Sequence, residues 1–194
     1  MKQHARILSL LATAITSLMA FASSASAAPT LTSPSGTEYT GTIHATLQSG
    51  TSALLKAGIE DTCTESTSSG PVTTNNETHA QGSLSSLTFG KCTQHTNTRS
   101  AGSLTINQAG EVFTTSSSVE VVVTGIATCF YGAGLAPVHI GTLTPTSINT
   151  FTAKLDVSTT ELPRAPGSNT FFCASQATWT GSYVVTTPDT LYVK

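Results

Sequence analysis

The stretch EYTGTIHATLQ, residues 38–48, places apolar or small side chains at every second position, with polar side chains between them. Strict alternation of this length is typical of a β-strand with one buried face. The pattern returns in segments 53–59, 119–124, 151–157 and 177–185, and stretches rich in Gly, Pro, Asn and Ser separate these segments. The sequence therefore predicts an all-β fold of eight to ten short strands.

Short alternating strands in this number predict an antiparallel β-sandwich, either immunoglobulin-like or jelly-roll-like. Val122 interrupts the alternation of Val119, Val121 and Val123, which indicates a central strand buried on both faces. We expect one domain covering residues 28–194. The polar segments 66–80, 93–102 and 158–170 are predicted to be loops.

The composition excludes several classes of protein. Of 194 residues, 25 are Ser and 37 are Thr, and only 9% are charged, against about 25% in ordinary domains. There is no cluster of Lys and Arg, so we expect no nucleic-acid partner. No uncharged apolar run of 18 residues lies beyond the N-terminus, so we expect no membrane span after it. With 38% hydrophobic residues, the chain can build a packed core.

The first 27 residues match a secretory signal peptide. Lys2 and Arg6 make the N-terminus basic, and an apolar stretch covers residues 7–22. The small residues Ala25-Ser26-Ala27 then form a cleavage site. Cleavage after Ala27 is expected, and the alternative is a retained membrane anchor. The remaining chain has six basic and ten acidic residues. We expect a secreted or periplasmic protein, which could also be associated with the cell surface.

Four cysteines follow the signal peptide, and an even number in an exported chain predicts disulfides. We favour the pairs Cys63–Cys92 and Cys129–Cys173, because each closes a local segment. Loops of about 30 and 45 residues would stabilise the fold by about 3.5 to 4 kcal/mol each. A zinc site needs closely spaced ligand pairs, and no two of these cysteines are nearer than 29 positions. We expect no metal and no cofactor.

Only four side chains stand out as candidates for surface binding. His79 and His95 lie in segments predicted as loops near the first disulfide, which could bring the two imidazoles together close to Glu77. Phe130 and Tyr131 follow a cysteine in a glycine-rich turn, where aromatic rings could be exposed. No Gly-x-Ser-x-Gly motif occurs, and we assign no catalytic residue.

Several motifs are shared with a known kind of protein. They are LTF at 87–89 before Cys92, CFYG at 129–132, and segment 172–193, which contains FCAS, WTGSY, TP and LYV. In these features the chain resembles an uncharacterised family of small, secreted, Thr-rich, disulfide-bonded bacterial β-proteins. The resemblance implies a structural role for the cysteines, aromatic residues and prolines, and it implies no activity or catalytic residue.

Three functions are compatible with these features. The first is a non-enzymatic exported protein that acts in binding or surface structure, with an unknown extracellular or envelope partner. The second is a secreted hydrolase acting on a polysaccharide or an ester. The third is a pilus or fibre subunit, since Gly181 and Tyr192 are similar in placement to residues of fimbrial subunits, although Tyr192 is third from the end rather than second.

Overall fold

The computed structural model describes residues 30–146 and 152–193, and every regular element in these two ranges is a β-strand. The expected signal peptide, residues 1–27, lies outside the described residues. The described strands are β1 (Leu31–Thr32), β2 (Thr42–Leu47), β3 (Ala53–Lys56), β4 (Glu60–Asn75), β5 (His79–Ser83), β6 (Ser86–Cys92), β7 (His95–Ser100), β8 (Ser103–Asn107), β9 (Glu111–Thr115), β10 (Ser118–Val123), β11 (Ala127–Tyr131), β12 (Val138–Thr144), β13 (Lys154–Pro163), β14 (Gln176–Thr187) and β15 (Tyr192–Val193).

Eight of these strands form a closed barrel. Their order is β13-β12-β9-β8-β5-β4-β2-β14, and β14 pairs back onto β13, with Leu155 opposite Tyr183. All neighbours in the ring are antiparallel. The all-β antiparallel prediction is confirmed, but the main sheet is a barrel rather than the predicted sandwich. Alternation could not tell these apart, because both architectures bury one face of each strand.

The two longest strands, β4 and β14, continue beyond the barrel. Between them β2 and β3 lie end to end: Thr46 pairs with Thr67 of β4, and Ala53 pairs with Cys63 nearer the start of β4. On the other side of β4, strand β5 pairs with its end and β6 with its beginning. The main sheet therefore extends past the ring at one end of the molecule.

A three-stranded sheet, in the order β11-β10-β7, packs against this extension. Val121 and Tyr131 from the small sheet share a core with Leu55, Leu162 and other buried residues of the main sheet. The face-to-face packing expected of a sandwich is therefore limited to this end. A second core fills the barrel with aliphatic side chains.

A short cap closes the other end of the barrel. Strands β1 and β15 pair with each other, and Leu31 and Leu191 are fully buried beneath them. The side chain of Asn75 acts as a further strand partner: its amide donates to the Leu31 carbonyl at 2.7 Å, and its oxygen accepts from the Leu31 N–H at 3.0 Å. The two ends of the described chain thus meet over the barrel.

The three segments predicted as loops contain strands instead. Segment 66–80 forms most of β4 and the start of β5, segment 93–102 contains β7, and segment 158–170 contains the end of β13. These strands carry hydroxyl side chains on their outer faces, and Thr67 and Thr88 hydrogen-bond to each other across two strands at 2.7 Å. These segments are poor in apolar residues because many of their side chains lie on the outer face of a sheet, and this composition made them look like loops.

The predicted disulfides are confirmed. Cys63 of β4 is bonded to Cys92 directly opposite on β6, and Cys129 of β11 is bonded to Cys173. Because all four cysteines are paired, they indicate an oxidising compartment such as the periplasm or the extracellular space. In the described ranges, no helix is long and apolar enough to span a membrane.

Candidate binding surface: an apolar turn anchored by a disulfide

Two phenylalanines are held in solvent on a β-turn at the end that carries the three-stranded sheet. The turn runs from Thr170 to Cys173, and the Cys173 N–H donates to the Thr170 carbonyl at 3.2 Å. Phe171 and Phe172 occupy its two corners and are 96% and 66% exposed. Their rings meet edge to face, with centroids 5.9 Å apart. The pair contacts itself rather than the core.

The turn is anchored to strand β11 on both sides. On one side the Thr170 N–H donates to the Thr128 carbonyl at 3.1 Å, and on the other Cys173 is bonded to Cys129. Both anchors lie on β11 and are consecutive residues. The phenylalanines are therefore displayed on a fixed support.

The chain leading to the turn also lies along β11. The Ala165 N–H donates to the Phe130 carbonyl at 2.8 Å. The side chain of Asn169 accepts from the Phe130 N–H at 2.8 Å and donates to the Ala165 carbonyl at 2.9 Å. A methyl group added at Gly167 would lie 2.5 Å from the Phe130 ring, so only glycine allows this close approach. This segment covers Phe130.

Phe130 and Tyr131 are not the exposed aromatic pair that was expected. Phe130 is 8% exposed, beneath Gly167 and with the Arg99 guanidinium 5.6 Å from its ring centre. Tyr131, on the opposite face of β11, is fully buried and donates to the Ala174 carbonyl at 3.3 Å. Burial raises the pKa of its phenol above the usual value. Both faces of β11 are therefore covered.

Ile126 is a further exposed apolar side chain, in the turn that leads into strand β11. It is 60% exposed in the tight β10–β11 turn, where its N–H donates to the Val123 carbonyl at 2.9 Å. Ile126 lies two positions before Thr128, and the Thr128 carbonyl anchors the phenylalanine turn. We call Ile126, Phe171 and Phe172 the apolar tip.

The apolar tip and the cap lie at opposite ends of the molecule. Strand β14 begins three residues after Cys173 and ends at Thr187, close to the buried Leu191 of the cap. A strand of 12 residues covers about 40 Å. A surface that touches the tip therefore does not cover the cap.

The two candidate histidines are not brought together. Asn76, whose N–H donates to the His79 carbonyl, follows the end of β4, whereas Gln94, next to His95, donates to Asp61 near the start of β4. Strand β4 has 16 residues, so the histidines lie near opposite ends of a long strand. The expectation that the first disulfide would place them side by side is wrong.

The described side chains include one group with metal-ligating atoms, the buried Asp61 and Cys63 and the part-buried Cys92. The two sulfurs are bonded to each other. The Asp61 carboxylate accepts hydrogen bonds from the Gln94 N–H at 2.7 Å and from the hydroxyls of Thr93 and Thr96 at 3.0 and 2.5 Å. These ligand atoms are used by the protein itself, and the group holds the β6–β7 turn against β4.

The inside of the barrel is a core rather than a ligand chamber. Within the core, a cavity lined in part by Leu31 and Leu191 measures about 70 Å³ and a neighbouring one about 40 Å³. A wider depression of about 390 Å³, lined by polar residues such as His44 and Thr67, is open to solvent. An apolar cavity that accepts benzene is about 150 Å³. Eight-stranded barrels can be filled by their own side chains, and this one is.

Comparisons of the chain with models of protein families, with curated proteins and with solved structures found no match. The resemblance to small secreted bacterial β-proteins therefore stays an expectation. The apolar tip was not among the predicted sites. The signal in the sequence that could have found it is a pair of adjacent phenylalanines within a polar segment. Adjacent side chains of a strand point to opposite faces, so one buried face cannot hold both rings.

Proposed function

We propose that the protein is an exported, non-enzymatic binding module that attaches to the cell envelope through the apolar tip. The observation that carries this proposal is the exposure of Phe171 and Phe172 on a turn fixed by the Cys129–Cys173 disulfide. Burying a phenylalanine side chain is worth about 1.5–3 kcal/mol. These two rings lie outside the core and forgo that stabilisation.

The closed barrel supports a binding module over a fibre subunit. Assembly by strand exchange needs an open groove where a strand is missing. Here β14 pairs with β13 on one side and with β2 and β3 on the other, so the ring closes within one chain.

The carboxylates Glu60 and Asp61 do not support the alternative that the protein is a hydrolase. Asp61 is 1% exposed and accepts hydrogen bonds from three donors, and its neighbour Glu60 forms a surface ion pair with Lys56 at 3.0 Å. These two adjacent residues therefore have structural partners rather than a shared substrate face.

The proposal can be tested by binding the purified mature chain to isolated envelopes of the producing cells. We expect co-sedimentation that falls at least tenfold in the double variant Phe171→Ser/Phe172→Ser, because about 1.4 kcal/mol is a factor of ten in binding. The matched control is Leu135→Ser. Leu135 is 91% exposed but lies beyond the other end of β11. Equal binding by the double variant, or no binding by the unaltered chain, would show that the proposal is wrong.

A further inference from the structure

We propose that the surface recognised by the apolar tip is the lipid–water interface of a bilayer, into which Phe171, Phe172 and Ile126 insert. This inference rests on the proposed function, that the tip attaches the protein to the envelope. It adds the chemical class of the partner, which is lipid rather than protein or glycan.

The shape and size of the tip favour a lipid partner. Phe171 and Phe172 are the corners of a turn, so they form a projection rather than a groove. An aromatic side chain buries about 150–250 Å², so the tip offers about 500 Å² with Ile126 included. A stable protein interface needs about 800 Å² per partner. Lipid adapts to a small convex projection, whereas the open depression on this chain, about 390 Å³ in volume, is lined mainly by polar residues such as His44, Thr67 and Ser86 and suits two phenyl rings poorly.

The charges near the tip also favour insertion into a neutral interface. Arg99 is paired with Glu120 at 3.4 Å, and Lys56 is paired with Glu60. Arg164 is exposed beside the turn, and its guanidinium donates to the Cys173 carbonyl at 3.4 Å. The exposed neighbours in the adjoining turns and segment include three hydroxyl residues, Thr124, Ser168 and Ser175, together with the uncharged Pro166 and Gln176 and the charged Arg164. Hydroxyl groups can hydrogen-bond lipid headgroups without the cost of dehydrating a charge.

The anchoring of the turn removes much of the cost of insertion. The hydrogen bond from Thr170 to Thr128 and the Cys129–Cys173 disulfide already order the backbone that carries the rings. Preorganisation of this kind strengthens binding, because little further entropy is lost on contact. Since only the corner residues project, insertion is shallow and reversible. We expect a partition constant of about 10⁴ M⁻¹, the order that one myristoyl chain provides.

The experiment is flotation of the full mature chain with unilamellar vesicles of neutral phosphatidylcholine. We expect binding that falls at least tenfold in Phe171→Ser/Phe172→Ser and is unchanged in Leu135→Ser. Binding should be the same at 0.1 and 0.5 M NaCl and should not increase when phosphatidylglycerol is added, because paired charges contribute little at the membrane surface. Circular dichroism and thermal unfolding of each variant verify that it is folded.

A second variant reports the position of the ring directly. Phe171→Trp keeps an aromatic side chain at the more exposed corner, and we expect its fluorescence to shift to shorter wavelength with vesicles and to be quenched by brominated lipid. The parent chain, whose single tryptophan is the part-buried Trp179, should show neither change.

The outcomes separate this inference from the proposed function. Envelope binding that depends on the tip, without vesicle binding, would overturn the lipid inference and leave the proposed function standing. Absence of both would overturn both. A dimer in sedimentation velocity that dissociates in Phe171→Ser/Phe172→Ser would also overturn the lipid inference, because the tip would then be covered by a second copy.

Discussion

Asp61 and Thr96, 35 positions apart in the chain, are joined by a buried hydrogen bond of 2.5 Å between the threonine hydroxyl and the carboxylate. Asp61 also accepts from the Gln94 N–H and the Thr93 hydroxyl. One side chain therefore holds the β6–β7 turn in place. This turn connects the main sheet to the three-stranded sheet.

We predict that Asp61→Ala lowers the free energy of unfolding by about 3 kcal/mol or more, because it leaves the buried Thr96 hydroxyl and the part-buried donors of Thr93 and Gln94 without their acceptor. Urea unfolding of the oxidised protein measures the change. The control is Glu65→Ala on the same strand, where the ion pair with Lys91 is exposed and should be worth less than about 1 kcal/mol. Similar losses in the two variants would contradict the structural role of Asp61.

The two disulfides should differ in what they hold. The sequence separations of 29 and 44 residues correspond to about 3.6 and 4.0 kcal/mol in the chain-entropy model. We therefore expect Cys63→Ser/Cys92→Ser and Cys129→Ser/Cys173→Ser to be destabilised to a similar extent. Only the second pair of substitutions should speed hydrogen exchange at Phe171 and Phe172. Equal exchange at these amides in the two variants would show that the disulfide does not fix the turn.

The buried phenol of Tyr183 leads us to predict that the protein loses stability at alkaline pH. It is 2% exposed and donates to the Ser66 hydroxyl at 3.0 Å, and burial raises its pKa from the usual 10.0 to about 12. Because the folded-state pKa is the higher one, the contribution is complete below pH 10 and is lost as pH rises towards 12. At pH 11 the loss is about 1.4 kcal/mol.

Tyr183→Phe tests this assignment, because it removes the ionising group while keeping the ring. Denaturant unfolding between pH 9 and 11 should show a flatter decline in the variant than in the parent chain. Identical slopes would mean that another group is responsible, since burial also raises the pKa of Tyr131 and Tyr39.

Two glycines in one loop give a matched pair of substitutions. A methyl group at Gly132 would lie 1.9 Å from the Ser117 carbonyl oxygen, whereas one at Gly134 would meet nothing within 4 Å. We predict that Gly132→Ala costs at least about 1–3 kcal/mol and that Gly134→Ala changes stability by less than about 0.5 kcal/mol. Thermal unfolding measures both. A neutral Gly132→Ala would show that β11 can move away from Ser117.

Local features of the fold could be predicted from the sequence, and long-range ones could not. Alternation identified strand β2, and the cysteine spacing identified both disulfides. Closure of the barrel depends on partners such as Leu47 and Tyr183, which face each other across 136 positions. The alternation of apolar and polar residues in either segment does not specify that partner, because the strands of a sandwich show the same alternation.

The binding surface was missed for a different reason. Phe130 and Tyr131 follow a cysteine near glycines, and the covering segment that ends at Asn169 could not be foreseen. Phe172 was assigned to a structural motif with Cys173. The exposure of a side chain depends on what packs over it, and this is settled by distant parts of the chain.

The pairing of β2 with β14 has a consequence for synthesis. Residues 44–47 of β2 find β4 early, but their other edge has no partner until residues 183–187 have been made. If the N-terminal part folds first, it carries an open sheet edge until the C-terminal part has been added. Such edges template pairing with other chains. The threonine-rich strands carry few apolar residues that could drive association, and this lowers the tendency to aggregate while the edge is open.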